Sequence, residues 1–348
     1  VTALEHRWRT SVVRHTTWRP RTTRHPHRAR LAVLALVAAC SSLPAGAATA
    51  PSPASFAVAG ADSGCPSTAC TSVVSLVQSS VTMKRLPSNL TPSLSSAPRD
   101  LVAPQGGTTI TLPVTGAGRV PVVQLYGPAT DTSEIAVLGD SHALMWSTSL
   151  HTIASGLGDR LALMYRLSCY VTLTSSQLPP VAGLKDPSRP AFCQNWTQAA
   201  VTWLASHPPT LLVIVCSIAS NQTTYLKGIT SIVTQMQALG VRVELVGSLP
   251  KPTADPPECL ASYPSTLSLC MTKISKAVHA SDLTLEQKVA STTSAGFVNP
   301  VPWACTTATC PDVIGDYEAY TDENHFTSTF AASLAPVLSI ALGLTPSS

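Results

Sequence analysis

The pattern of apolar and polar positions changes character at about residue 131. Beyond it, short apolar runs alternate with longer stretches whose apolar residues recur at helical spacing. Residues 135–138 form a short apolar run closed by Gly139 and predict a first strand. Residues 142–155 predict a helix, with Leu144, Met145, Leu150, Ile153 and Ala154 on one side. The alternation continues: a strand over 161–165, a helix over 195–207 stopped by Pro208-Pro209, and a buried strand over 211–215. A helix over 223–239 ends at Gly240, a strand follows over 241–246, and a short last strand is expected at 297–298. The chain closes with a helix over 327–342, which Pro336 should kink or restart. Strands alternating with helices imply a parallel sheet covered on both faces. Ligands in such sheets collect at the carboxyl ends of the strands.

Before residue 131 the periodicity is weak. Residues 65–130 are turn-rich and read as an extended, cysteine-containing arm packed on an α/β domain of residues 131–345, with 86–100 as its clearest stretch. Residues 41–64 are rich in Ala, Ser and Pro, and 51–64 read as a linker. Residues 1–50 read as an export signal. Eight arginines and one acid give residues 1–30 a charge of +7, and the apolar run LAVLALVAA (31–39) follows. That run is too short to stand across a bilayer core of about 30 Å. Val37-Ala38-Ala39-Cys40 resembles a bacterial lipobox, which would lipidate Cys40. Ala45-Gly46-Ala47 and Ala48-Thr49-Ala50 resemble ordinary cleavage sites, and both routes stay open, as does an uncleaved anchor. The formal net charge of +4 therefore belongs to the leader; the rest carries −3, and nucleic-acid binding is not expected. A chain of 348 residues that is 45% hydrophobic and 11% charged excludes a disordered or fibrous protein.

The ten cysteines agree with export. Setting aside Cys40 and Cys216, which sits in the apolar run LLVIVC, leaves eight in four neighbouring pairs. These are Cys65 and Cys70, Cys169 and Cys193, Cys259 and Cys270, and Cys305 and Cys310. Eight cysteines allow 105 connectivities; neighbour pairing in an oxidising compartment is the expectation. Zinc is the rival, but no Cys-x2-Cys occurs and histidines at zinc-site spacing are missing. No metal and no organic cofactor are expected.

Two short blocks carry chemistry. The first strand runs into Gly139-Asp140-Ser141-His142, where a strand-to-helix turn can expose a serine hydroxyl beside helix N–H groups. Asp322-Glu323-Asn324-His325 lies just before the last helix. A serine needs a base such as imidazole, and the imidazole needs a carboxylate to hold its tautomer. Ser141, His325 and Asp322 supply these three groups. Taken singly, a serine after Gly-Asp is most often a helix N-cap, and Asp322 reads as a cap of the last helix; the two blocks together point to the chemistry.

The blocks VLGDSHALMW (137–146) and YTDENHFTSTFAASLAP (320–336) resemble the first and last blocks of SGNH (GDSL-type) hydrolases. The subgroup most similar is the SGNH domain that accompanies the membrane acyltransferase-3 family in bacterial surface-polysaccharide acylation. RLSC (166–169), FCQNW (192–196), PPECLASYPSTLSLC (256–270), WACTTATCPDVIGDYEAY (303–320) and LPSNLTPSL (86–94) fit that subgroup, so the resemblance spans roughly 65–343. No multi-span acyltransferase accompanies the domain in this sequence, and a free-standing version is the expectation. The resemblance implies a three-layer α/β/α sandwich with a parallel, flavodoxin-like sheet. It makes Ser141 the nucleophile, His325 the base and Asp322 its orienting acid. The family's Gly and Asn oxyanion blocks have no clean match. Asn221, after LLVIVCSIAS, is the candidate donor, with a helix cap as its alternative; the Ser141 N–H is the other donor. Arg166 and Trp303 are substrate candidates, Trp303 for a carbohydrate, whereas Trp146 and Trp196 read as core. Asp140 reads as a turn support, His142 as a helix residue pointing elsewhere, and Glu323 and Asn324 as turn residues.

The implied activity is that of an exported, monomeric, serine-dependent O-acyl esterase or transferase, handling acetyl groups on cell-surface carbohydrate or a small acyl ester. A separate membrane acyltransferase is the implied protein partner. The alternative is a weakly active or inactive module that binds glycan or that partner.

Overall fold

Apolar runs become strands wherever both sheet faces are covered. In the computed structural model, which describes residues 67–112, 122–128, 133–171, 189–218 and 222–344, the strands are β1 (Thr108–Thr111), β2 (Val122–Tyr126), β3 (Glu134–Gly139), β4 (Arg160–Tyr165), β5 (Leu211–Val215), β6 (Arg242–Val246), β7 (Thr272–Lys273), β8 (Gly296–Val298), β9 (Thr309–Cys310), β10 (Val313–Ile314) and β11 (Tyr317–Glu318). The helices are α1 (Thr68–Ser80), α2 (Ser141–Leu157), α3 (Arg189–Ser206), α4 (Gln222–Gln237), α5 (Pro256–Ser262), α6 (Ile274–Ala277), α7 (Ala280–Thr293), α8 (Ser328–Ser333) and α9 (Ala335–Ala341). The central sheet runs β1-β2-β4-β3-β5-β6-β8. Its five parallel strands, counted in chain order, lie 2-1-3-4-5, which is the flavodoxin-like arrangement.

Alternate residues along the strands feed two cores. Ile135, Val137, Leu161, Leu163, Leu211 and Val213 face α1, α2, α8 and α9. Ala136, Leu138, Ala162, Met164, Leu212 and Ile214 face α3, α4 and α7. Each fully buried Leu or Ile contributes about 2 kcal/mol. The result is a three-layer α/β/α sandwich.

The sheet is not wholly parallel. β1 and β2 extend it antiparallel beyond β4, so part of the segment expected to lie on the domain as an arm is built into its sheet instead. α1, also inside that segment, buries Cys70 and Val77 in the first core. β1 escapes a hydrophobic pattern search because all four residues of its Thr-Thr-Ile-Thr run are exposed at a sheet edge. The expected last helix is two: Leu334 ends α8 and caps α9, and Pro336 in the first turn of α9 has no N–H to continue α8.

Residues 86–100 run across the domain. The Thr91 N–H donates to the Asp316 carbonyl (2.8 Å), and the Glu318 N–H donates back to Thr91 (3.1 Å). Cys169–Cys193, Cys259–Cys270 and Cys305–Cys310 are joined. Cys70 is disulfide-bonded, while Cys65 and Cys40 lie outside the described residues, as do the leader and linker. Cys216 is a buried free thiol, and burial pushes its pKa well up. Among the described residues no helix is long and apolar enough to cross a membrane.

Two buried carboxyls make stability pH-dependent. Burial raises Glu286 to about 8 despite hydrogen bonds from the Ser248 N–H and hydroxyl. Burial, with Asp312 and Asp255 nearby, raises Glu318 to about 9. Among the described residues neither Glu318 carboxyl oxygen has a hydrogen-bond partner. Raised carboxyls keep their protons in the folded chain but lose them in the unfolded chain. Their contribution is whole below the ordinary value of 4.5 and is lost as pH rises through about 8 and about 9. Urea melts should therefore show stability falling as pH rises from about 5 to about 9, and Glu318→Gln should flatten that decline. A variant slope equal to that of the wild type would contradict this assignment.

Candidate active site

The site forms where the chain leaves β3. This strand lies between β4 and β5, so the crossovers depart in opposite directions and leave a crevice at its carboxyl end. Only glycine fits at its last position. A Cβ on Gly139 would stand 1.7 Å from the Val215 carbonyl oxygen and 2.7 Å from the Ala143 Cβ. The chain therefore turns at once into α2, with Asp140 as N-cap and Ser141 as the first helical residue. Ser141 thus stands at the positive end of a 17-residue helix.

Asp140 is 2% exposed, and its carboxylate is fully engaged. Oδ1 accepts from the His142 N–H (2.8 Å), Oδ2 accepts from the Ser217 N–H (2.7 Å), and the His142 Nδ1 lies 3.0 Å from Oδ1. Burial alone would raise this carboxyl, but the His142 ring and these donors hold it down to about 2. It supports the turn and also ties the end of β3 to the end of β5.

His325 approaches from the opposite end of the sequence. Its Nε2 is 2.7 Å from the Ser141 Oγ, and its Nδ1 is 2.9 Å from each Asp322 oxygen. A carboxylate only accepts, so Nδ1 carries the proton and the Nε2 lone pair faces the serine hydroxyl. Asp322 Oδ1 also accepts from the Asn324 N–H (2.7 Å) and the His325 N–H (3.0 Å). Burial acts to raise Asp322, but the His325 ring and these N–H groups outweigh it and lower its pKa. The Asp322 side chain is 40% exposed and the His325 side chain 15%, so the site opens to solvent on the carboxylate side.

The loop that carries His325 is tethered on its C-terminal flank. Phe326 is buried, and its N–H donates to the Met145 Sδ (3.1 Å) on α2. Thr327 caps α8, and Asp100 from the preceding segment accepts from the Thr329 N–H (3.0 Å). The Thr148 hydroxyl donates to the Ser328 carbonyl (3.1 Å), and the Ser149 hydroxyl donates to Ala331. The helix bearing the serine thus packs directly on the helix that follows the histidine.

The other candidates divide. The Arg166 N–H donates to the Gly139 carbonyl (3.1 Å), and its guanidinium lies 4.9 Å over the Phe192 ring. Ser168, two residues on, has φ 57°, a left-handed conformation that favours glycine. Asn221 lies outside the described residues. Trp303 does not line a surface: it is 3% exposed and sits edge-on to Trp146 at 6.1 Å. Its indole is large and apolar enough to be claimed by the first core. Trp146 and Trp196 are likewise buried. His142, expected to point elsewhere, lies with its ring 5.0 Å from that of His325. No sequence signal marks this, because its partners Ser217 and Asn324 are remote in the chain. Among the described residues no group of three or more His, Cys, Asp or Glu side chains is placed to hold a metal ion. The arrangement provides a hydroxyl, a base aligned on it and a carboxylate behind the base, which are the groups needed for nucleophilic acyl transfer.

A family model described as "SGNH domain (fused to AT3 domains)" matches residues 113–339. No curated protein matches the chain. Among solved structures, the chain is similar to the periplasmic domain of the Salmonella ser. Paratyphi A lipopolysaccharide acetyltransferase, at 12% identity over 61% of this chain and 84% of that one, with TM-score 0.49. It is also similar to the esterase domain of a Rhodothermus marinus protein, at 13% identity over 68% and 97%, with TM-score 0.34. A third is an α/β serine hydrolase without a lid from Xanthomonas campestris, at 11% identity over 71% and 99%, with TM-score 0.31.

The Gly139 contact makes a direct prediction. Gly139→Ala should cost about 3 kcal/mol in chemical denaturation, because the obstacle is backbone rather than a movable side chain. A loss below about 0.5 kcal/mol, within the range of ordinary surface substitutions, would contradict the packing described.

Proposed function

The chain belongs to the SGNH domain family that is fused to AT3 domains, and from that premise we propose that it is a serine-dependent O-acyl esterase or O-acyltransferase acting through an acyl-Ser141 intermediate. The observation that carries this reading is the 2.7 Å contact between the Ser141 Oγ and the His325 Nε2, with Asp322 on the far nitrogen. Ser141 attacks the acyl carbonyl carbon as its proton passes to Nε2. The imidazolium so formed is stabilised by Asp322. The oxyanion develops at the N-terminus of α2, where the Ser141 N–H and the helix dipole favour negative charge. On collapse, Nε2 returns the proton to the departing alkoxide and leaves an ester on Ser141. An incoming hydroxyl then repeats the sequence in reverse, giving its proton to His325. With water the outcome is hydrolysis; with a carbohydrate hydroxyl it is transfer.

We assign acetyl as the acyl group, carbohydrate at the cell surface as the substrate class, and an extracytoplasmic location, with a separate membrane acyltransferase as partner. The disulfides Cys169–Cys193, Cys259–Cys270 and Cys305–Cys310 support the location, since such bonds persist in oxidising compartments. Nothing in the chemistry requires a cofactor. Whether the acceptor is water or sugar is decided by product analysis with and without added carbohydrate.

Ser141→Ala should abolish p-nitrophenyl acetate hydrolysis and labelling by a fluorophosphonate probe. Asp322→Asn should lower kcat by roughly 10²–10⁴-fold, with KM little changed, because it removes the tautomer and charge support for His325. Equal hydrolysis by Ser141→Ala and wild type, with no probe label on either, would overturn the enzyme reading in favour of a binding module.

A further inference from the structure

His142 has no part in the proton transfers above, yet it lies between the two halves of the site. Its side chain is 8% exposed. On one side, Nδ1 is 3.0 Å from the Asp140 Oδ1 and 3.1 Å from the Ser217 Oγ. On the other, Nε2 is 3.1 Å from the Asn324 carbonyl oxygen. A carbonyl only accepts, so Nε2 carries a proton and donates it. This holds whether Nδ1 donates to the Asp140 carboxylate or accepts from the Ser217 hydroxyl.

The acceptor is not an arbitrary carbonyl. It belongs to the peptide bond that joins Asn324 to His325. The nitrogen of that same peptide donates to the Asp322 Oδ1 at 3.0 Å. One peptide plane is therefore held at both ends, by Asp322 from within its own turn and by His142 from the helix that carries Ser141. That plane sets the direction in which the His325 side chain leaves the backbone. The ring is in turn anchored by the residue that caps α2, since Asp140 accepts from the His142 N–H and faces its Nδ1.

We propose that His142 is a positioning residue: its Nε2–H clamps the Asn324–His325 peptide to the nucleophile turn and so holds the His325 imidazole against Ser141. The catalytic consequence rests on the acyl-Ser141 reading above; the clamp itself does not. His142 is buried with both ring nitrogens engaged, so it does not meet the substrate. Its loss should appear in kcat and leave KM in place.

Two amide replacements separate the clamp from packing. Glutamine reaches about as far as Nε2 and can donate to the Asn324 carbonyl. Asparagine reaches only as far as Nδ1, toward Asp140 and Ser217. The full chain and its His142→Gln, His142→Asn and Ser141→Ala variants are compared in p-nitrophenyl acetate kinetics and in hydrogen exchange at the backbone amides of residues 322–326. His142→Asn should lose about 100-fold in kcat, hold KM within about twofold, and exchange about tenfold faster at residues 324–326, as expected for a lost hydrogen bond of about 1.4 kcal/mol. His142→Gln should keep kcat within about tenfold of wild type and exchange as wild type does. Should His142→Asn fail to fold, His142→Met, equal in reach to glutamine but without a donor, takes its place. Equal losses in His142→Gln and in His142→Asn or its replacement, a loss confined to KM, or unchanged exchange in His142→Asn or its replacement would overturn the clamp. If Ser141→Ala retains full activity, the enzyme reading falls, and the exchange comparison alone decides whether the clamp exists.

Discussion

A buried carboxylate organises this molecule. Asp140 accepts from the His142 N–H in the first turn of α2 and from the Ser217 N–H just past β5, and it faces the ring of His142. Any of these contacts alone would be a local cap. Together they require that β3, β5 and α2 meet at one point, and they compensate a charge that burial would otherwise neutralise. The sharp turn at Gly139 allows this meeting, because no side chain fits between β3 and the Val215 carbonyl. Ser141 faces the His325 imidazole as a consequence of how its two neighbours are buried.

His325 arrives by a different route. Asp322 folds its own turn by accepting from the Asn324 and His325 N–H groups, and the same carboxylate fixes the tautomer of the ring. Phe326, the next residue, is buried in the core, and α8 packs on α2. The hydroxyl and the imidazole, 184 residues apart in the chain, thus meet because one apolar core holds both helices.

Much of this was legible from the residues. Strands covered on both faces read as continuous apolar runs, so β3, β4 and β5 stood out; β6 showed through alternation, with Val243 and Leu245 buried beside Arg242 and Glu244, and the turn residues between the strands located α2 and α4. The serine and the Asp-x-x-His turn were visible because their chemistry is local: a hydroxyl at a strand-to-helix turn, and a carboxylate three residues from its ring. What stayed hidden depends on distant partners. β1 has no apolar face of its own and exists through its pairing with β2. Trp303 is an aromatic residue near the histidine loop in sequence, but an interior that needed filling claimed it. His142 sits beside the serine, yet its contacts with Ser217 and Asn324 exist only once the sheet and the loop have assembled.

An acyl group carried by Ser141 in mid-reaction is tested most directly by rapid acid quench during p-nitrophenyl acetate turnover, followed by peptide mass spectrometry. An acetyl group on the peptide that contains Ser141, absent from Ser141→Ala, is the predicted result. An acetyl group on another residue that persists in Ser141→Ala at the wild-type turnover rate would contradict it.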